Sequence, residues 1–92
     1  MEIHPEIRIY ASDEVKFKIV EEVKKELSQK YPVIDVDGLR VTFPKGWALV
    51  RALSREPVLT LSFQGETAKD LEAIKREVKE AVERAIKKLG KA

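Results

Sequence analysis

Residues 33–63 read VIDVDGLRVTFPKGWALVRALSREPVLTLSF, and this stretch predicts four antiparallel strands in a meander. Asp37-Gly38 separates two alternating apolar runs, and both residues of such a turn must accept positive φ, which is a strong hairpin signal. Pro44-Lys45-Gly46 makes a second turn, and Ser54-Arg55-Glu56-Pro57 makes a third. Because antiparallel strands joined by short turns pair with one another, we expect the four strands to form one sheet.

The segments on either side of the meander add one strand and two helices. EIRIYA (6–11) alternates apolar and polar residues, the pattern of a half-buried strand. From 13 to about 30, and again from Thr67 to a stop at Gly90, apolar residues recur every three or four positions and form one stripe on each of two charged helices. The stripes consist of Val15, Ile19, Val20, Val23 and Leu27, and of Leu71, Ile74, Val78, Ala81, Val82, Ala85 and Leu89. Thr67-x-x-Asp70 predicts a capping box at the start of the second helix. Ser12 and Asp13 are N-cap candidates for the first helix.

The element order β-α-β-β-β-β-α predicts an α+β fold. We expect a two-layer sandwich, TATA-binding-protein-like, in which an antiparallel sheet of about five strands carries both helices on one face. The pattern leaves open which strand neighbours the first one, and which face of WALVRAL (47–53) meets the helices. Since nothing repeats and no linker divides the chain, residues 1–92 are expected to form a single domain.

The composition argues against several classes of protein. The chain has no cysteine, so disulfides and thiolate chemistry are excluded. Its 18 basic and 16 acidic residues nearly balance, and no glycine-rich aromatic strand of the RNA-recognition type is present, so we expect no nucleic-acid partner. No apolar run reaches the roughly 18–20 residues that cross a bilayer, and no signal peptide opens the chain, so we expect no membrane partner and a cytoplasmic location.

The residues by themselves predict no catalytic or metal site. Asp35-x-Asp37-Gly38 resembles the start of a calcium loop, but a strand follows where further oxygen ligands are needed. His4 is the only histidine, and we interpret it as a solvated residue near a frayed terminus. Arg51 has two interpretations. In the first, its planar guanidinium binds a phosphate through paired hydrogen bonds. In the second, Arg51 only ends the strand, and its side chain extends into water.

The stretch DGLRVTFPKGWALVRALSREPVLTLSFQGET (37–67) resembles the C-terminal domain of the α-D-phosphohexomutases, in the phosphomannomutase/phosphoglucomutase branch. The family motifs D-G-[VL]-R-V, G-W-x-L-V-R-A and P-V-L occur in order and spacing, and HPEIRIYASDEVKF (4–17) resembles a further family segment. The resemblance covers nearly the whole chain. It implies the fourth of four domains, which folds as a sheet with two helices on one face and grips the phosphate of a bound phosphosugar.

The resemblance also implies a division of labour. The family's catalytic phosphoserine and magnesium-binding aspartates lie in three other domains, so the isolated chain is expected to be catalytically inert and to hold no cofactor. The family's phosphate loop reads R-x-S-[NG]-T. Arg51 matches its arginine and Ser54 supplies a small polar group, but Leu53 replaces the serine and Arg55 replaces the threonine. The predicted phosphate-binding residues are therefore Arg51, Ser54 and Arg55, weakened by the departures at 53 and 55.

Three hypotheses about function follow. The leading one is a phosphosugar-binding domain with a divergent loop, expected to be a monomer. The second is a redesigned or stabilised version of the domain, a scaffold with no ligand or activity, because residues kept only for function are free to change when a fold is optimised. The third is a domain that associates with itself or a partner through the outward face of WALVRAL (47–53).

Overall fold

The computed structural model describes residues 1–90, which form five strands and two helices. In chain order the elements are β1 (Glu2–Tyr10), α1 (Lys16–Leu27), β2 (Val33–Asp35), β3 (Leu39–Phe43), β4 (Gly46–Ala52), β5 (Val58–Gly65) and α2 (Ala68–Lys88). The predicted α+β class, the order β-α-β-β-β-β-α and the five-stranded antiparallel sheet are confirmed. No helix within residues 1–90 is both long and apolar enough to cross a membrane.

The sheet has the strand order β1-β5-β4-β3-β2, with every pair antiparallel. Strands β2 to β5 pair consecutively, as the turns predicted. The first strand lies beside the last one, with Arg8 opposite Thr60 and a register shift between His4 and Ile7. Since β1 and β2 are the two edges of the sheet, α1 must carry the chain from one edge to the other.

The two faces of the sheet differ in burial. In β4, Ala48 and Val50 are fully buried beneath the helices, whereas Leu49 is half-buried and Arg51 is exposed on the opposite face, which we call the open face. The alternation of β4 alone did not decide between these orientations. The helix face of β4 therefore carries the small residues, and the open face carries the larger ones, including Trp47.

The core lies between the sheet and the two helices. The residues that the helices contribute to it are Ile19, Val23 and Leu27 from α1, and Leu71, Ile74, Val78, Ala81, Val82 and Ala85 from α2. These residues belong to the stripes that the sequence predicted. Leu89, the last member of the predicted α2 stripe, is only half-buried at the C-cap.

The predicted start of α1 is wrong. Neither Ser12 nor Asp13 caps the helix, because the N-cap position is Val15 and no side chain within residues 1–90 accepts a backbone N–H group of the first turn. The Ser12 carbonyl instead accepts the N–H groups of Val15 and Lys16, so a turn leads into the helix. The prediction for α2 was correct at its start, where the Thr67 hydroxyl accepts the Asp70 N–H at 3.1 Å.

The interpretation of His4 as a frayed terminal residue is also wrong. His4 lies within β1, half-buried, with its ring edge-to-face against Phe63 at a centroid distance of 6.0 Å. Its Nε2 lies 3.2 Å from Nζ of Lys75 on α2. His4 therefore helps to fasten the start of β1 to the helix layer.

Candidate functional site

Three connections meet at one end of the sheet and carry the residues predicted to bind phosphate. They are the β4–β5 loop (53–57), the β2–β3 turn (36–38) and the segment between β1 and α1 (11–15). The strand registers bring them together, since Leu39 pairs with Val50 and Tyr10 pairs with Val58. The structure therefore gathers Arg51, Ser54 and Arg55 beside segments that are distant in sequence.

Arg51 lies on the open face near this end of the sheet. Its guanidinium is 3.4 Å from the carboxylate of Asp37, and both side chains are exposed, at 46 % and 81 %. The turn residue Gly38 packs against it, because a Cβ at position 38 would lie 3.3 Å from Arg51 Cγ. An exposed ion pair of this kind contributes about 0–1 kcal/mol, so a ligand anion can displace Asp37 from the guanidinium.

The β4–β5 loop is a hairpin closed by one backbone bond, from the Leu53 N–H to the Val58 carbonyl at 3.0 Å. Leu53 is half-buried, and Ser54 and Arg55 are exposed. Within residues 1–90, the backbone N–H groups of positions 54 to 56 donate no hydrogen bond to another backbone group. Successive free N–H groups beside a cation are the components of an anion-binding concavity.

Sequence reasoning missed Lys16, which bonds to this loop from the start of α1. Lys16 begins α1 and is only 1 % exposed, and its ammonium donates to Asp13 Oδ1 at 2.8 Å and to the Glu56 carbonyl at 3.0 Å. One signal was available, because position 16 precedes Ile19 by three and Val23 by seven and so lies on the predicted buried stripe.

Arg8 on β1 holds the same loop from the open face. Its guanidinium donates to Glu56 Oε1 at 2.8 Å, and the Ala11 N–H donates to the Pro57 carbonyl at 2.9 Å. Glu56 is therefore bonded at its carboxylate by a strand and at its carbonyl by a helix. In the sheet, Arg8 and Arg51 lie on either side of Thr60, which is opposite both of them.

The helix layer, on the far side of the sheet, carries a different set of charges. Interhelical ion pairs join Glu22 to Lys88 at 2.9 Å and Glu26 to Arg84. The hydrogen bond from Arg84 lowers the pKa of the Glu26 carboxyl, against the opposing effect of partial burial. Burial, followed by the hydrogen bond to Glu77, raises the pKa of Tyr31. The two ion pairs join α1 to α2, and none of these groups bonds to the β4–β5 loop.

The described residues gather no cluster of three or more His, Cys, Asp or Glu side chains with the spacing of a metal site. What the loop end offers is two exposed arginines, a serine hydroxyl and unused N–H groups at positions 54 to 56. Each of these groups can donate hydrogen bonds to an oxyanion. The arrangement therefore favours the binding of an anion at this end of the sheet.

Comparison with known proteins gives consistent matches. The family model described as "Phosphoglucomutase/phosphomannomutase, C-terminal domain" matches residues 6–81. A phosphomannomutase/phosphoglucomutase of Pseudomonas syringae pv. tomato is 45 % identical over 71 residues, covering 76 % of this chain and 15 % of that protein. The Pseudomonas aeruginosa protein of the same name is 42 % identical over 72 residues, covering 77 % of this chain and 16 % of that protein. In these alignments the chain thus spans only about a sixth of its relatives' length.

A solved structure also resembles this one. A phosphoglucomutase/phosphomannomutase family protein from Burkholderia thailandensis superposes with a TM-score of 0.75 at 24 % sequence identity, over 91 % of this chain and 18 % of that protein. At this identity the likeness supports the fold alone.

Proposed function

Because the chain belongs to the phosphoglucomutase/phosphomannomutase C-terminal domain family, we propose that it is a phosphosugar-binding domain whose β4–β5 loop and Arg51 hold the phosphate group. The names of its relatives specify phosphorylated mannose and glucose, and we propose hexose phosphates as the ligand class of this chain. The observation that carries the proposal is the position of Arg51, exposed on the open face beside a loop with unused N–H groups.

Each predicted residue has a separate part in binding. Arg51 forms paired, charge-assisted hydrogen bonds with two phosphate oxygens, and Asp37 gives up its 3.4 Å contact as it does so. Ser54 donates its hydroxyl, and Arg55 adds a second positive charge. A phosphate monoester carries about −1.5 to −2 charges at neutral pH, so two arginines suit it.

The departures from the family loop set the expected affinity. Leu53 contributes no donor where the family motif has serine, and the long side chain of Arg55 does not reproduce the geometry of a short hydroxyl. We therefore expect a dissociation constant in the millimolar range, which corresponds to about −4 kcal/mol.

We also propose that this chain alone transfers no phosphoryl group. By the family resemblance, the phosphoserine and the magnesium-binding aspartates belong to other domains, and the chain spans about a sixth of the relatives it matches. We propose that this chain binds and orients the phosphate. No part of that role is assigned to magnesium.

The test is a two-dimensional amide NMR titration with glucose 1-phosphate, made on the wild type, Arg51→Ala and Arg76→Ala. Arg76 is a matched control, since it is an exposed arginine on α2 and its loss changes the net charge equally. We expect shifts confined to residues 51 to 57, lost in Arg51→Ala and kept in Arg76→Ala. Equal losses in both variants would show that net charge, rather than a site, attracts the ligand.

A second candidate is a scaffold without a ligand, and two observations favour it. Leu53 and Arg55 occupy positions where the family motif has hydroxyl side chains, and Arg51 already has an anionic partner in Asp37. Wild-type spectra unchanged at tens of millimolar glucose 1-phosphate would establish the scaffold and reject phosphosugar binding. A parallel titration with inorganic phosphate shows whether the sugar contributes to the affinity.

A further inference from the structure

Lys16 is the one charged residue that is buried within residues 1–90. An apolar side chain would fill its position on the α1 stripe without the cost of removing an ammonium from water. That cost amounts to several kcal/mol unless the charge is paired and hydrogen-bonded. Filling space in the core therefore does not explain why a lysine with two hydrogen bonds occupies this position.

The two partners of Lys16 differ in what they connect. Asp13 lies three residues away, and its side chain is 79 % exposed, so this bond joins the ammonium to a solvated carboxylate in the same turn. Glu56 lies 40 residues away, and its backbone carbonyl receives the other bond at 3.0 Å. Lys16 thus ties the start of α1 to the last part of the β4–β5 loop.

The Glu56 carbonyl is fixed by a second bond as well. It accepts the Val58 N–H at 2.8 Å, an i to i+2 bond around Pro57, whose ring restricts φ. Since Lys16 donates to the same carbonyl, two hydrogen bonds restrict the backbone at Glu56. The unused N–H groups of positions 54 to 56 lie immediately before this fixed point.

We propose that Lys16 is a positioning residue, which holds the β4–β5 loop in the conformation that binds phosphate. The inference rests on the proposed function and names the group that preorganises its site. Without the ammonium, the loop has more conformations available, and the ligand must order it on binding, which weakens affinity. The ammonium group matters because only a hydrogen-bond donor at the end of a long side chain reaches from position 16 to the Glu56 carbonyl.

The first test compares Lys16→Met with the wild type in the glucose 1-phosphate titration. Methionine is unbranched and apolar, so it fills the buried site and removes both hydrogen bonds. We expect affinity to fall about tenfold. Lys18→Met is the matched control, because it makes the same change of charge and side chain at an exposed position of α1, two residues from Lys16. We expect it to weaken binding by about threefold at most.

A chemical rescue separates positioning from packing. The chain has no cysteine, so Lys16→Cys carries a single thiol, which can be alkylated in the unfolded protein before refolding. Reaction with 2-bromoethylamine restores an ammonium at the length of lysine, with sulfur in place of one methylene. Reaction with 1-bromopropane gives an apolar side chain of similar length. We expect affinity to return with the ammonium only.

The outcomes distinguish the two proposals. If the wild type shows no binding, the proposed function fails, and the role of Lys16 fails with it. If the wild type binds and Lys16→Met binds equally well, the phosphate site stands and the positioning role is overturned. Equal rescue by the propyl and aminoethyl groups would also overturn it, because both then act by filling space.

Discussion

Replacing Gly65 with alanine tests how closely α2 packs on the sheet. Gly65 ends β5 opposite Gly46 of β4, where the first turn of α2 lies against the sheet. A Cβ at position 65 would lie 2.5 Å from the backbone N of Leu71 and 2.8 Å from its Cα. Real Cβ atoms essentially never come this close to another atom, and helix backbone cannot rotate aside as a side chain can.

The start of α2 must therefore retreat by roughly 1 Å to restore normal van der Waals contact. Leu71 and Ile74 are 7 % and 5 % exposed, so the retreat loosens two core residues. Overpacking costs about 1–3 kcal/mol, and we expect the upper end because the obstacle is backbone. A loss of about 3 kcal/mol would lower Tm by roughly 12–24 °C in a domain of this size.

The assay is urea unfolding followed by circular dichroism, with a thermal melt of the same samples. Gly90→Ala is the matched control, because no atom of residues 1–90 outside its immediate chain neighbours lies within 4 Å of its added Cβ. Its φ of +85° is unfavourable for alanine, which costs about 1–2 kcal/mol. If Gly65→Ala were as stable as Gly90→Ala, or more stable, the close approach of α2 to β5 would be refuted.

Two further predictions concern the helices. Thr67→Ala removes the hydroxyl that accepts the Asp70 N–H at 3.1 Å and should cost about 1 kcal/mol in urea unfolding. Thr67→Ser keeps a hydroxyl acceptor and is its control, and equal costs for the two variants would refute the cap. Glu26 has a folded-state pKa below its ordinary 4.5 because of Arg84, so its contribution to stability is present above pH 4.5 and is lost as pH falls through the folded pKa. Glu26→Gln should therefore lower the free energy of unfolding at pH 7 and reduce the amount by which it falls in acid. A difference in unfolding free energy between variant and wild type that stays constant from pH 7 to 3 would contradict this.

Much of the fold follows from local sequence because its signals act between near neighbours. Asp37 and Gly38 have φ of 56° and 114°, as the hairpin pattern required. The buried residues of α2 are those on its periodic stripe, because spacings of three and four bring side chains to one face whatever they pack against. The α1 cap was mispredicted because the Ser12 carbonyl, not a side chain, accepts the first N–H groups.

The sequence also located the candidate site, in that Arg51, Ser54 and Arg55 were named from a motif. Their surroundings were not predictable, since Asp37 is 14 residues from Arg51 and Glu56 is 48 residues from Arg8. Bonds between such residues depend on the register of paired strands, which a single strand's alternation does not specify.

By itself, then, the sequence determined the strands, the turns, both helix stripes and the family motif, all of which depend on residues close together in the chain. Tertiary structure alone decided that β1 lies beside β5, that Ala48 and Val50 face the helices, and that Lys16 bonds to Glu56. The physical reason is that each of these depends on a partner distant in sequence. A buried ammonium is tolerated only where folding brings an acceptor within hydrogen-bond distance.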